Sequence, residues 1–316
     1  MTRSQKIKQL FLKHYVGDLV FVDVGARGKL ECIEALRKNT ELHAFEPDPE
    51  AFEALKKNYK ESHFKKLHLQ QTALSDHKGF DALFISQHAS MSSLLESDLH
   101  NYQKHFGEYK EFPTWKKRMN LAKKIDVKTD MLDNYFGDIK GTIDFLKIDT
   151  QGTELSILKG AQKLLEQNKI SIIKLEVTTI PVYKNQALFS EIDIFLRNLN
   201  YTLVDFITYR ETYSAAFEKK IVPKHFGPCG DAIYVLNDEN ELKKVGFKKS
   251  LILFWLGYQS LALNILISHT FDSDDQKALS NFFQPGLKGR SKIFVKNLIP
   301  PFLWHIARKI ITRFSR

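Results

Sequence analysis

Two apolar runs in this chain each stop at a carboxylate and a glycine turn: Phe21-Val-Asp23-Val-Gly25-Ala-Arg-Gly28 and Leu146-Lys-Ile-Asp149-Thr-Gln-Gly152-Thr-Glu154. A strand that ends this way delivers a polar side chain and a tight turn to one rim of a sheet. Open α/β sheets build their ligand crevices in this manner, at the carboxyl ends of their strands. The surrounding chain keeps a matching rhythm. Leu19–Val24 reads as a strand, residues 30–39 as a helix, 42–45 as a strand and 49–59 as a helix, a βαβα pattern that predicts a doubly wound, mostly parallel sheet. Residues 67–74 and 80–85 alternate like two more strands around the turn Ser75-Asp76-His77-Lys78-Gly79. The rhythm breaks over residues 87–123, a polar and aromatic stretch that reads either as a substrate lid or as a helical surface excursion. It resumes with strands at 125–127, 143–148 and 170–177 and helices at 153–166 and 188–199. Residues 202–206 and 232–236 then read as an antiparallel pair that closes the sheet.

The first turn has the chemistry of a nucleoside site. Gly25 and Gly28 lack Cβ atoms and so allow the backbone to turn tightly and approach a ligand. Glu46 follows 21 residues after Gly25, at the end of the next strand, where doubly wound folds hold ribose hydroxyls with an acid. Neither G-x-G-x-x-G nor G-x-x-x-x-G-K-[ST] occurs, so no pyrophosphate cradle is expected and an NAD-dependent oxidoreductase is disfavoured. A cofactor without phosphates, S-adenosylmethionine, suits a turn that carries Asp23 ahead of its glycines.

Asp149 is the candidate for chemistry, since it closes the strand expected beside the cofactor turn. A group that must be aligned and give up a proton as it reacts is served by a positioned carboxylate. Glu176, at the end of the following strand, is placed to assist it. Two carboxylates at neighbouring strand ends also suit a Mg²⁺ ion that would lower such a group's pKa. A third reading is structural: Asp149, Gln151 and Thr153 tie down the start of the next helix.

Further segments join these motifs: Ala44-Phe-Glu-Pro-Asp-Pro, Ala73-Leu-Ser-Asp76 with Gly79, Ser92-Ser-Leu94, Leu158-Lys-Gly160-Ala161, Leu175-Glu-Val177 and Gly230-Asp-Ala-Ile-Tyr234. Together they resemble the FkbM family of S-adenosylmethionine-dependent methyltransferases, over roughly residues 21–235. The resemblance implies a seven-stranded class I methyltransferase sheet and methyl transfer to a hydroxyl of a sugar, polyketide or glycolipid. Carried over by position, it implies that Asp23 and Gly25 line the methionine end of the cofactor, that Glu46 holds the ribose, and that Asp48 and Asp76 lie near the adenine. Many members have Gly-Ala-Asn with the next glycine one residue later, whereas this chain has Arg27-Gly28.

Charge and cysteine usage bound the rest. Residues 243–316 hold 13 Lys/Arg against 3 Asp, which accounts for the whole net charge of +10. This shift places a boundary near residue 240, between a catalytic domain (1–240) and a basic helical extension (241–316). Within the extension, residues 250–271 carry no charge yet are short and polar for a membrane span, and read as a core or interfacial helix. Residues 303–316 form a basic amphipathic pattern that suits either an anionic membrane surface or a docking face. Two cysteines, Cys32 and Cys229, make no disulfide framework, and no Cys/His run has zinc-ligand spacing. A reducing cytoplasm, with peripheral attachment to the membrane's inner face, is the expected setting. A non-catalytic membrane-tethered scaffold is the rival reading. Nucleic-acid methylation is disfavoured, because Ile299-Pro-Pro-Phe302 lies beyond the end of the sheet and resembles only part of an N-P-P-[YF] loop.

Overall fold

The computed structural model describes residues 18–27, 36–106, 112–137, 141–209, 227–238 and 243–268. Its centre is a seven-stranded sheet. Strand β1 (Leu19–Val24) lies between β2 (Thr40–Phe45) and β7 (Phe145–Ile148), and the full order is β3 (Lys66–Gln70), β2, β1, β7, β8 (Ile172–Thr178), β10 (Cys229–Leu236), β9 (Tyr201–Thr208). Only β10 runs against the others, pairing antiparallel with both β8 and β9. This is the doubly wound, seven-stranded sheet that the sequence predicts, with its antiparallel closing pair. The two motifs end adjacent strands, since Asp23 pairs with Lys147 and Val24 with Ile148. Strand order reverses between β1 and β7, so both motifs face the topological switch point, where such sheets bind ligands.

Because successive side chains on a strand point to opposite faces, β1 feeds two cores. Leu19 and Phe21 join Leu42, Phe145, Ile172 and Ile233 on one face, while Val22 and Val24 join Leu146, Ile148, Ile173 and Tyr234 on the other. The first face is covered by α1 (Pro49–Asn58) and by a helical hairpin, α8 (Lys243–Trp255) with α9 (Gln259–Ser268). The second is covered by α5 (Glu154–Lys159), α6 (Gln162–Glu166) and α7 (Phe189–Arg197). The α8–α9 hairpin lies C-terminal to the boundary drawn near residue 240, yet it places Phe247, Leu251, Ile252, Leu253, Ala262 and Leu266 in the sheet's own core. No described helix is long and apolar enough to cross a membrane. The N-terminal segment and the basic amphipathic segment 303–316 lie outside the described residues.

The sequence reading of residues 67–74 as one strand is corrected. The stretch divides into β3, in the main sheet, and β4 (Ala73–Leu74), which pairs with β6 (Leu121–Asp130) in a second, three-stranded sheet completed by β5 (Gly79–Ser86). Strand β6 is longer than the expected 125–127 because β5 pairs along most of it. The helix expected at 153–166 is broken at Gly160, where a Cβ would lie 2.0 Å from the Ser75 carbonyl oxygen. Within the insertion, α2 (Leu99–Phe106) and α3 (Phe112–Met119) turn Tyr102, Phe112 and Trp115 inward against Ile180 and Val182. These aromatics form a packed wall.

One ion pair ties the helical hairpin to the sheet. Asp144 is fully buried just before β7; its Oδ2 accepts from the Val20 N–H at 2.8 Å and from Lys248 Nζ of α8 at 2.8 Å. Lys248 Nζ also donates to the Asp18 carbonyl. Removing one member of a buried pair strands the other charge, at a cost of about 3–5 kcal/mol. Lys248→Ala is therefore expected to destabilise by about that amount in urea unfolding, whereas Lys248→Met combined with Asp144→Asn costs clearly less. Equal losses would show that charge burial is not what matters there.

Candidate active site

The crevice begins with a contact between backbones. Gly25 adopts φ +75°, and a Cβ there would stand 2.0 Å from the Asp149 carbonyl oxygen. Its N–H and that of Ala26 both donate to the Phe45 carbonyl, each at 3.1 Å. The missing side chain thus admits the end of β7, while the Gly25 backbone also borders a slot beside Glu46. Gly28 lies outside the described residues.

Glu46, the acid expected to hold the ribose, is buried at the end of β2 and already has partners. Arg27 donates from Nε to Oε2 at 3.1 Å and from Nη2 to Oε1 at 3.3 Å, while the Asp48 N–H donates to Oε1 at 2.9 Å. Burial raises the Glu46 pKa, and Arg27 and the Asp48 N–H oppose that rise. Asp48 caps α1 through the Glu50 N–H at 3.1 Å and receives Arg27 Nη2 at 2.6 Å. It is therefore a helix cap that also anchors the arginine. Beside this cluster runs a slot of about 30 Å³ lined by Gly25, Phe45, Pro47, Leu74, Leu94 and Thr153, among others.

The residues fit an adenosyl group in kind. A buried acid ends the second strand, apolar walls from Pro47, Leu74 and Leu94 suit a flat base, and the slot lies across the ends of β1 and β2. The slot as it stands holds about one or two waters, and a carboxylate has roughly four lone-pair positions. A ribose diol must therefore take Glu46 from Arg27.

At the end of β7 the charges form a chain. Asp23 is buried and pairs with Lys147 Nζ at 3.2 Å; the same ammonium lies 3.5 Å from Asp149 Oδ2. Burial pushes the Asp23 pKa up against the pull of Lys147, and it pulls Lys147 down, but Asp23 and Asp149 outweigh it and hold Lys147 above its ordinary value. Asp23 is thus committed to an ion pair within the sheet. Asp149 has an exposed carboxylate whose Oδ1 accepts from Gln151 Nε2 at 3.1 Å. The same Nε2 donates to Glu176 Oε2, and the Gln151 Oε1 accepts from the Tyr183 hydroxyl at 3.3 Å. Gln151 holds φ +60°, a left-handed conformation that costs a non-glycine residue about 1–3 kcal/mol. It brings the two predicted carboxylates together. An amide donor stands between them, in the place where the Mg²⁺ reading would put an ion.

Glu176 is pushed up to about 8, by burial first and then by Asp149, Glu154 and Asp231, so at neutral pH it holds a proton. Glu154 is also buried and accepts from the Thr150 and Gly152 N–H groups, which closes the loop after Asp149. Asp76 stands apart from this group. It bonds His77 Nδ1 at 2.9 Å and borders a polar cavity of about 450 Å³ with His77, Asp81, Thr153, Ser156 and Asn185. Leu94 and Thr153 line both this cavity and the narrow slot, so the two adjoin. Ser156 Oγ meets both Ser75 Oγ and the Asp76 N–H at 3.2 Å, and with Gly160 this packs Ala73-Leu-Ser-Asp76 onto Leu158-Lys-Gly-Ala161.

Sequence reasoning passed over Arg27 as a ligand of Glu46, Lys147 as the bridge between Asp23 and Asp149, and Tyr183 as the support of Gln151. A lysine in the middle of the buried run Phe145–Ile148 was the available signal, because a charge there needs a partner.

Residues 23–203 match the model of the methyltransferase FkbM domain, more than half of the chain. No curated protein matches the chain. Similar solved structures include a precorrin-6Y C5,15-methyltransferase from Geobacter metallireducens, at 13% identity over 74% of this chain and 89% of that one with a TM-score of 0.34. An S-adenosylmethionine-dependent methyltransferase from Clostridium acetobutylicum is 10% identical over 75% of this chain and 91% of that one, with a TM-score of 0.34. An rRNA methylase from Streptococcus thermophilus is 9% identical over 75% and 99%, with a TM-score of 0.35. Likenesses at this level say nothing of what this chain acts on.

Two outcomes are expected from this geometry. Gly25→Ala meets both the Asp149 carbonyl and an unfavourable φ, and should cost more than about 4 kcal/mol or prevent folding, as judged by circular dichroism and urea unfolding. For Glu176, the folded protein holds a proton between pH 4.5 and about 8 that the unfolded chain releases. Its contribution to stability therefore falls as pH rises through that window. Glu176→Gln should gain more than about 1.4 kcal/mol over the parent near pH 8.5, the worth of one pKa unit, and gain nothing at acid pH. A gain independent of pH would contradict the assignment.

Proposed function

This chain belongs to the FkbM family and is an S-adenosylmethionine-dependent methyltransferase; from that premise we propose that it methylates a hydroxyl oxygen of a glycan, glycolipid or comparably polar secondary metabolite. The observation that carries the reading is the exposed Asp149 carboxylate at the switch point, fixed by Gln151 on one oxygen and faced by Lys147 on the other. Glu46 would hold the ribose and the Pro47–Leu94 slot the base. Bound there, the cofactor supplies an electrophilic methyl group on sulfonium.

The chain's own groups do the rest. Asp149 accepts the acceptor's hydroxyl proton, which aligns the oxygen lone pair, and takes that proton as the oxygen becomes electron-poor. Gln151 keeps the carboxylate from rotating away, and Tyr183 keeps Gln151 in its strained conformation. Glu176 holds its own proton at neutral pH, so Asp149 does not face a second negative charge. The adjoining cavity supports a polar acceptor: Asp76, His77, Asp81, Ser156 and Asn185 offer hydrogen bonds suited to a polyol.

Asp149→Asn keeps the shape and removes the proton acceptor. It should lower transfer of labelled methyl to host glycan and lipid fractions by about 10²–10⁴, with S-adenosylmethionine binding unchanged by calorimetry. Glu46→Ala should abolish that binding. Full transfer by Asp149→Asn would remove its catalytic role, and undiminished binding by Glu46→Ala would place the cofactor elsewhere.

A further inference from the structure

We propose that Glu41, His43 and His68 form a binding site for one zinc-like divalent ion on the β2–β3 strand pair, separate from the methyl-transfer crevice. The register brings them together: Glu41 and His43 are alternate residues on one face of β2, and His68 pairs directly with His43 across to β3. Their ligating atoms all lie within 4.8 Å of one another, and this is the one such His/Cys/Asp/Glu group among the described residues. Both imidazoles aim Nε2 at the same carboxylate oxygen. His68 Nε2 is 3.0 Å from Glu41 Oε1 and His43 Nε2 is 3.6 Å from it. Atoms about 2.1 Å from a tetrahedral zinc ion lie roughly 3.4 Å from one another, so the two imidazole–carboxylate spacings are each within tenths of an ångström of that value.

The surroundings hold the three donors in place. His43 is buried, and its Nδ1 meets the Tyr135 hydroxyl at 3.0 Å, an outer-shell contact that fixes the ring and leaves Nε2 for the ion. Tyr135 and Phe136, from α4 (Leu132–Phe136), pack edge-on against His43. The two imidazoles stack with centroids 4.4 Å apart and planes 13° from parallel, so the half-exposed His68 ring turns for both Nε2 lone pairs to meet at one ion. Lys66 engages the other oxygen of Glu41, Oε2, at 3.0 Å and leaves Oε1 to face the rings. Two imidazoles are borderline donors and the one carboxylate is a hard donor; the nitrogen majority suits zinc, cobalt or nickel over magnesium or calcium. Three protein ligands leave a fourth position to water. Strand β3 is the edge of the sheet, so the ion would staple that edge to β2.

Tag-free, full-length protein, stripped with chelator, is titrated with ZnCl₂ by calorimetry and with CoCl₂ by visible absorption. One equivalent should bind, with cobalt bands of four-coordinate type and a raised thermal midpoint in zinc. His68→Ala and His43→Ala should each weaken zinc binding at least about 10-fold, and Tyr135→Phe about 10-fold. His68 is partly exposed, so its variant is expected to fold and keeps the test meaningful if His43→Ala does not. His88→Ala, on the surface elsewhere, should leave binding unchanged. Absence of stoichiometric binding by the parent, or binding that survives His68→Ala intact, would overturn the site and leave the proposed methyl transfer untouched.

Discussion

The contact between the Gly25 backbone and the Asp149 carbonyl sets the geometry of everything at the sheet's carboxyl rim. It lets β1 and β7 run side by side to their last residues and then turn apart, with Glu46 on one side of the divide and Asp149 on the other. A Cβ at position 25 would push the strand ends apart by more than an ångström. The two motifs would then no longer frame one crevice. Burial follows from the same pairing, since Asp23 and Lys147 are registered partners and share an ion pair that neutralises the floor of the site.

Above that floor the rim gathers negative charge that burial alone would not tolerate. Asp149, Glu154, Glu176 and Asp231 bear on one another, and each is managed differently. Glu154 is absorbed by backbone N–H groups, Glu176 keeps its proton, and Asp231 pairs with Lys174 at 3.2 Å. Asp149 alone keeps an exposed carboxylate. The left-handed Gln151 is where this arrangement stores strain, and Tyr183 connects it outward to the Met91 carbonyl of the insertion at 3.0 Å. The insertion therefore supports the Asp149–Gln151 loop from behind through Tyr183 and Met91.

Much of this was legible in the chain because it depends on local rules. Apolar runs ending in glycine turns mark β1 and β7, the spacing from Gly25 to Glu46 marks the end of β2, and short, mostly apolar runs mark β9 and β10. What escaped depends on partners distant in sequence. Lys248 meets Asp144 across 104 residues, and nothing near either one announces it. The uncharged stretch after Ser250 reads as a core or interfacial helix, but with no one-sided periodicity, so its division into a hairpin that begins at Lys243 was not legible. Ala73 and Leu74 look like a continuation of β3, and only pairing with Thr129 and Asp130 assigns them to the second sheet. Glu41, His43 and His68 have no metal-ligand spacing in sequence because parallel pairing, rather than a single turn, brings them together. Asp23 and Gly25 read as cofactor contacts; the structure adds that Asp23 pairs with Lys147 and that Gly25 both admits the end of β7 and borders the slot.

Arg27 is the point on which the account is most exposed, because its guanidinium now holds the acid proposed to bind the ribose. A crystal structure of the full chain with S-adenosylhomocysteine tests this directly. The account predicts ribose hydroxyls on the Glu46 carboxylate, the base between Pro47 and Leu94, and Arg27 withdrawn from Glu46. An adenosyl group bound elsewhere, with Arg27 still seated on Glu46 and Asp48, would contradict it.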